Sequence, residues 1–173
     1  MASVAEHLVH QLEGAGVRHI YGIVGDSLNP VVDAVRRSKK IRWIHVRHEE
    51  TAAFAAAAEA EITGQLAVCA GSCGPGNLHL INGLYDANRS HLPVLAIASH
   101  IPTSQIGTGF FQETHPDRIF DECSVFSEMI SSSEQVPRVT RSAIQQALSN
   151  HGVAVLTLPG DIADMDTVSY THL

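Results

Sequence analysis

The sequence predicts a three-layer, doubly wound α/β fold, with about six parallel strands in one sheet and helices on both faces. Three observations carry this prediction. Segments of helical periodicity alternate with short apolar runs along the 173 residues. The runs at 66–70 (LAVCA) and 93–99 (PVLAIAS) are apolar without alternation, the mark of strands buried on both faces. Turn residues cluster where such runs end, as at Gly25-Asp26-Ser27, 71–77 and Pro159-Gly160-Asp161.

Each element follows in order. Val4, Leu8 and Leu12 share one face of an amphipathic helix that Gly14 and Gly16 stop. This segment carries charges and has no long apolar core, so it reads as a helix rather than a signal peptide. Residues 19–24 (HIYGIV) form a first strand. Asp26 or Ser27 is placed to cap a helix at 28–37, whose first turn tolerates Pro30. A second strand at 41–46 runs straight into a helix at 49–63, rich in alanine and suited to close packing. Gly64-Gln65 turns the chain into the third strand, 66–70. A glycine-rich loop at 71–77 opens a helix to about residue 88, and 93–99 is the fourth strand. Residues 100–116 (HIPTSQIGTGFFQETHP) are irregular, and 118–122 form a short helix. A fifth strand at 124–130, a helix from Glu134 to about residue 150 and a sixth strand at 153–158 complete the domain. His151-Gly152 stops that last helix.

The chemistry gathers around residues 44–60 (IHVRHEETAAFAAAAEA). A buried strand enters a helix there, with Glu49 and Glu50 in the first turn. Such junctions lie at the carboxyl edge of a parallel sheet, where α/β folds keep their sites. Acidic residues in a first turn also complement the helix dipole without further function. A zinc-protease helix is excluded, because His-Glu-x-x-His would need a histidine where Ala52 stands. The glycine loop lacks the last glycine of a dinucleotide fingerprint, and Asn77 stands where a P-loop would place lysine. It either lets a ligand approach the backbone or makes a tight turn. In a parallel sheet, Gly25-Asp26, His48-Glu49, the 71–77 loop and the 100–116 loop share one edge, a convergence that points to a site.

Composition narrows the classes. Hydrophobic residues make up 45% and charged residues 17%, which suits a globular domain with a buried sheet. A formal charge of −7, with no basic cluster beyond Arg36-Arg37 and Lys39-Lys40, argues against nucleic-acid binding. Three sparse cysteines, Cys69, Cys73 and Cys123, read as reduced thiols of a cytoplasmic protein. No apolar run reaches membrane-spanning length.

The ordered set Gly25-Asp26-Ser27, Arg47-His48-Glu49, Gly74-Pro75-Gly76 and Phe111-Gln112-Glu113 resembles the N-terminal pyrimidine-binding domain of thiamine diphosphate enzymes. The likeness runs from about Val4 to Ala163. Residues 65–84 (QLAVCAGSCGPGNLHLINGL) and 109–116 (GFFQETHP) incline it towards the pyruvate oxidases and quinone-dependent pyruvate dehydrogenases. Acetolactate synthases usually carry a Thr-Ser-Gly-Pro-Gly-Ala-Thr-Asn-like loop, whereas here Cys73 precedes Gly74 and Leu78-His79 replaces Thr-Asn.

The resemblance implies roles. Glu49 matches the glutamate that bonds N1′ of the aminopyrimidine and favours the imino tautomer, which takes the C2 proton of the thiazolium. Gly25, Ser72, Cys73, Gly74, Pro75, Gly76 and Asn77 fall on the cofactor side. Phe111 and Gln112 fall on the substrate side, with Gln112 and Asp26 near the reacting centre. Glu50 and His79 are read as structural. No metal ligand is assigned. Magnesium and FAD are expected only through domains outside this sequence, since no Gly-Asp-Gly…Asn-Asn-type motif occurs. The implied domain spans 1–164, and 165–173 reads as a non-native or truncated tail.

The chain is accordingly expected to be a fragment, inactive alone, of an enzyme that oxidatively decarboxylates pyruvate to acetate. Its implied partner is the diphosphate-binding domain of another subunit, within a homodimer or homotetramer. Any peripheral membrane contact belongs to a missing C-terminal part. Acetolactate synthase or another 2-oxo acid decarboxylase is the alternative, and a non-catalytic α/β binding module is a second.

Overall fold

The computed structural model describes residues 2–167. Six strands form one all-parallel sheet in the order β2-β1-β3-β4-β6-β5. They are β1 (His19–Gly22), β2 (Arg42–His45), β3 (Ala67–Gly71), β4 (Val94–His100), β5 (Phe126–Met129) and β6 (Val153–Pro159). The helices are α1 (Val4–Gly14), α2 (Asn29–Ser38), α3 (Glu49–Thr63), α4 (Pro75–Arg89), α5 (Pro116–Ile119), α6 (Val136–Asn150) and α7 (Gly160–Asp164). The order reverses between β1 and β3, so the sheet is doubly wound, as expected.

Alternation of side chains across the pleat divides the core in two. Val68, Ala70, Leu95, Ile97, Ala154 and Leu156 pack on one face with Leu8, Leu12, Val31 and Ala143. Ala67, Cys69, Ala96, Val153 and Val155 pack on the other with the alanines of α3 and with Leu80, Leu84 and Phe120. Every residue of β3, β4 and β6 is buried, so the unbroken apolar runs do mark central strands. Burial pushes the Cys69 thiol up to about 12 and Cys123 up to about 11, which leaves both protonated and inert. All three cysteines are free.

Several local readings change. Neither Asp26 nor Ser27 caps α2. Residues Asp26–Leu28 form a 3₁₀ turn instead, and the Ser27 hydroxyl turns inward to other partners. The glycine loop is shorter than expected, because Pro75 is pre-set for a first helical position and starts α4 with Gly76 and Asn77 inside it. The short helix expected at 118–122 begins earlier, at Pro116. α7 was not anticipated. α1 gains a capping box: the Glu6 amide donates to Ser3 Oγ at 3.2 Å, and the Ser3 amide donates to Glu6 Oε2 at 2.8 Å.

Residues 165–167 run back along the N-terminal segment. Val4 N donates to Met165 O at 2.8 Å, Thr167 N donates to Ala2 O at 2.9 Å, and Ser3 bridges Asp166 antiparallel. The rest of the anticipated tail, 168–173, lies outside the described residues. Among the described residues no helix is long and apolar enough to cross a membrane.

Candidate functional site at the carboxyl edge of the sheet

β2 ends at His45, and α3 begins four residues later at Glu49. His48 is the N-cap in extended backbone, and its Nδ1 accepts from the Glu50 amide at 3.3 Å. That start directs Glu49 inward, where it is only 7% exposed. Its Oε2 lies 3.0 Å from Nδ1 of His79, one turn into α4. Its Oε1 faces Gly76, where a Cβ would stand only 3.2 Å away. Among the described residues Oε1 has no hydrogen-bond partner. The His48 and His79 rings stack on each other, with centroids 4.3 Å apart and planes 26° apart. Glu50 turns away and accepts from Asn82 Nδ2 at 2.8 Å.

The loops beside Glu49 are bolted together by hydroxyls. Ser27 Oγ lies 2.6 Å from Ser99 Oγ and 3.0 Å from Ser72 Oγ, and it accepts from the Cys73 amide at 3.1 Å. Ser99 Oγ donates to Gly71 O at 3.2 Å, and Asn77 Nδ2 donates to Ser99 O at 2.7 Å. Three strand ends, those of β1, β3 and β4, are thereby fixed to one another. Asn77 is fully buried, and its Oδ1 has no partner. Gly25 and Gly74 are glycine for steric reasons. A Cβ on Gly25 would meet the Ser72 side chain, and one on Gly74 would stand 3.0 Å from Gln112 O at a φ of 68°.

The long loop after β4 is tied at two points. Thr103 donates from its amide and hydroxyl to Asp161, the hydroxyl at 2.6 Å. Glu113 accepts from the Gly107 and Gly109 amides, and these bonds, Gly107's first, hold its carboxyl below the usual range. Gln112 is thereby brought to the glycine loop, with Cys73 Sγ 3.5 Å from its Oε1. Phe111 is 84% exposed, its ring tilted at 45° against Phe110. Asp26 is also exposed. It lines a different hollow, of about 670 Å³, with Asp33, Asp161 and Asp164.

Residues 2–120 match the family described as thiamine pyrophosphate enzyme, N-terminal TPP binding domain. The chain belongs to the thiamine pyrophosphate enzyme family. An uncharacterized 42.6 kDa protein of Pseudomonas amyloderamosa is 62% identical over 160 residues, covering 92% of this chain and 40% of that protein. Pyruvate oxidase of Lactiplantibacillus plantarum is 41% identical over 156 residues, covering 90% and 26%. An acetolactate synthase of Mycobacterium bovis is 36% identical over 159 residues, covering 91% and 26%. The chain thus spans between about a quarter and two fifths of the length of these relatives.

The residues of this thiamine pyrophosphate enzyme domain fit the pyrimidine half of that cofactor. One carboxylate oxygen is held by His79, while the other is open beside a backbone that carries no Cβ. A flat nitrogenous ring needs both features, an acid at its edge and backbone against its face. Of the residues singled out from sequence, Gly25, Glu49, Ser72, Cys73, Gly74, Pro75, Gly76, Asn77 and Gln112 converge on one edge, whereas Asp26 and Phe111 open to solvent elsewhere. Sequence reasoning gave Ser99 no role, read His79 as structural without its contact to Glu49, and did not join Ser27, Ser72 and Ser99 into one network. Periodicity identified the elements that carry them, but not that position 79 meets position 49 across two helices.

Proposed function

We propose that this domain holds the aminopyrimidine of thiamine diphosphate within a larger enzyme that oxidatively decarboxylates pyruvate, passing electrons through flavin to a quinone. The observation that carries the reading is Glu49, a buried carboxylate with one oxygen pinned by His79 and the other open beside Gly76. When bound, the cofactor supplies an electron sink for the carbon–carbon bond cleavage of a 2-oxo acid.

The chain's own residues do the rest. Glu49 Oε1 holds a proton against the ring nitrogen, in a setting whose burial strengthens that bond. Gly25, Ser72, Cys73, Gly74, Pro75, Gly76 and Asn77 form the backbone bed for the ring. Gln112 presents its amide beside Cys73 towards the substrate, while Phe111 and Asp26, both exposed, would have to meet the substrate from the solvent side. Residues 1–164 act as the pyrimidine unit, and 165–173 are a non-native or truncated tail. The diphosphate, its magnesium ion and FAD are held by other domains, the diphosphate by that of another subunit in a cytoplasmic homo-oligomer.

The loop Cys73 to His79 and the 41% identity to a pyruvate oxidase support the oxidase. The 36% identity to an acetolactate synthase supports a second reading, condensation of two 2-oxo acids. Calorimetric titration of this chain with thiamine diphosphate and magnesium, repeated on Glu49→Gln, tests the site. Weak binding lost on substitution supports it, and equal binding in both overturns the role of Glu49. Acetate against acetolactate, measured from pyruvate with the parent-length protein, separates the two reactions.

A further inference from the structure

We propose that His48, Glu49 and His79 form a binding site for a zinc-class divalent cation. One ligand atom from each of the three lies within 4.8 Å of the others. The sequence excludes a zinc pair within α3, because Ala52 occupies the place of the second histidine. The fold brings that second imidazole from α4 instead.

The spacing suits an ion. Glu49 Oε2 and His79 Nδ1 are 3.0 Å apart. Two ligands of a tetrahedral zinc ion, with bonds of about 2.0–2.1 Å, sit about 3.3 Å apart. An ion therefore replaces the shared proton after a shift of a few tenths of an ångström. His48 already stacks on His79, so its ring needs no large swing to join. Its Nδ1 accepts from the Glu50 amide at 3.3 Å, a long bond whose exchange for a metal bond loses little.

Charge and access agree with this. The α3 dipole opposes a cation at its N-terminus, but the Glu49 carboxylate offsets it as a ligand, and Glu50, though directed to Asn82, keeps Oε2 3.9 Å from His48 Nδ1. The carboxylate is buried, while the imidazole side chains are 49% and 43% exposed. The ion thus has an entry path and a solvent-side position for water as fourth ligand. Two nitrogens and one oxygen select zinc or cobalt over magnesium and calcium, which prefer oxygen alone. Where Glu49 also serves the pyrimidine ring through Oε1, zinc on Oε2 draws charge from the shared carboxylate, so zinc and thiamine diphosphate weaken one another's binding. That consequence rests on the function proposed above, whereas the ion site does not.

Titrating this 173-residue chain with cobalt chloride, then displacing cobalt with zinc chloride, tests the site. The expected result is one ion per chain with the intense visible bands of tetrahedral cobalt. His79→Gln and His48→Gln should each weaken binding by about tenfold or more. His91→Gln, in the turn beyond the far end of α4, should leave it unchanged. Unchanged affinity in folded His79→Gln overturns the site, as do weak bands of six-coordinate cobalt shared among other histidines. Circular dichroism checks folding, and His48→Gln decides if His79→Gln unfolds. Zinc should also weaken thiamine diphosphate binding to the wild-type chain and not to His79→Gln. Cofactor binding indifferent to zinc overturns that coupling, with the cobalt bands still judging the ion site.

Discussion

Gly83 of α4 lies so close to Ala53 of α3 that a Cβ on the glycine would stand 2.5 Å from the alanine Cβ and 2.9 Å from the Phe54 amide nitrogen. Backbone cannot yield as a long side chain can. Alanine at 83 would gain helix propensity of about 1 kcal/mol, but overpacking costs about 1–3 kcal/mol. Gly83→Ala should therefore be neutral to destabilising, and Gly83→Val clearly destabilising. Urea unfolding checks this, with a raised midpoint for Gly83→Ala counting against the close approach.

Ser27→Ala should destabilise the domain by about 1–3 kcal/mol, because it strands buried polar groups. The Cys73 amide loses its acceptor, and the Ser99 hydroxyl keeps only Gly71 O. Ser27→Thr keeps the hydroxyl but adds a methyl group at a 9% exposed position, and should recover part of the loss. Hydrogen exchange at the Cys73 amide reads the same bond directly and should accelerate in Ser27→Ala.

Glu49→Gln in the parent-length enzyme should lower kcat by about 100-fold or more, the usual size of a lost acid–base group. Stability should change little, since glutamine still accepts from His79. Gly76→Ala should weaken cofactor binding by crowding Glu49 Oε1. Normal turnover in Glu49→Gln would reduce the carboxylate to a helix cap.

Stability should fall on mild acidification, before the carboxylates titrate. His100 is buried at the end of β4 with its Nδ1 unpartnered, and burial lowers its pKa from 6.5. Glu113 and Asp117 pull it upward and His115 downward, all more weakly. His7 is lowered too, first by burial and then by His10 and Arg141. The unfolded chain binds these protons more readily than the folded one. Their contribution is therefore intact above 6.5 and is lost as pH drops through that value towards the lower folded pKa. Melting temperatures between about pH 7.5 and 5.5 should decline, and the decline should shrink in His100→Gln.

Most of the fold was legible because its signals are local. The start of α3 at Glu49 and its end at Thr63 coincide with the expected helix, since a dense alanine run ends at a glycine in left-handed conformation. β3, β4 and β6 announced themselves as unbroken apolar runs. The exposed edge strands were read too long, because β5 shares only one side with a partner and carries Ser127 and Glu128. The glycine loop was read too long because Gly76 and Asn77 look like turn residues until packing draws them into α4. At the site, the carboxylate was visible from its strand-to-helix junction. The residue that holds it was not, because thirty positions separate His79 from Glu49 and no periodicity links them.

The pairing of Ala2 with Thr167, and of Ser3 with Asp166, gives the domain a single doorway. Residues 2–4 and 165–167 thus run side by side on one surface. A unit whose first and last described residues are neighbours suits insertion into an exposed loop of a host protein, with the sheet left as it is. Tension applied across the doorway would peel these few bonds one by one before any of it reached the six strands.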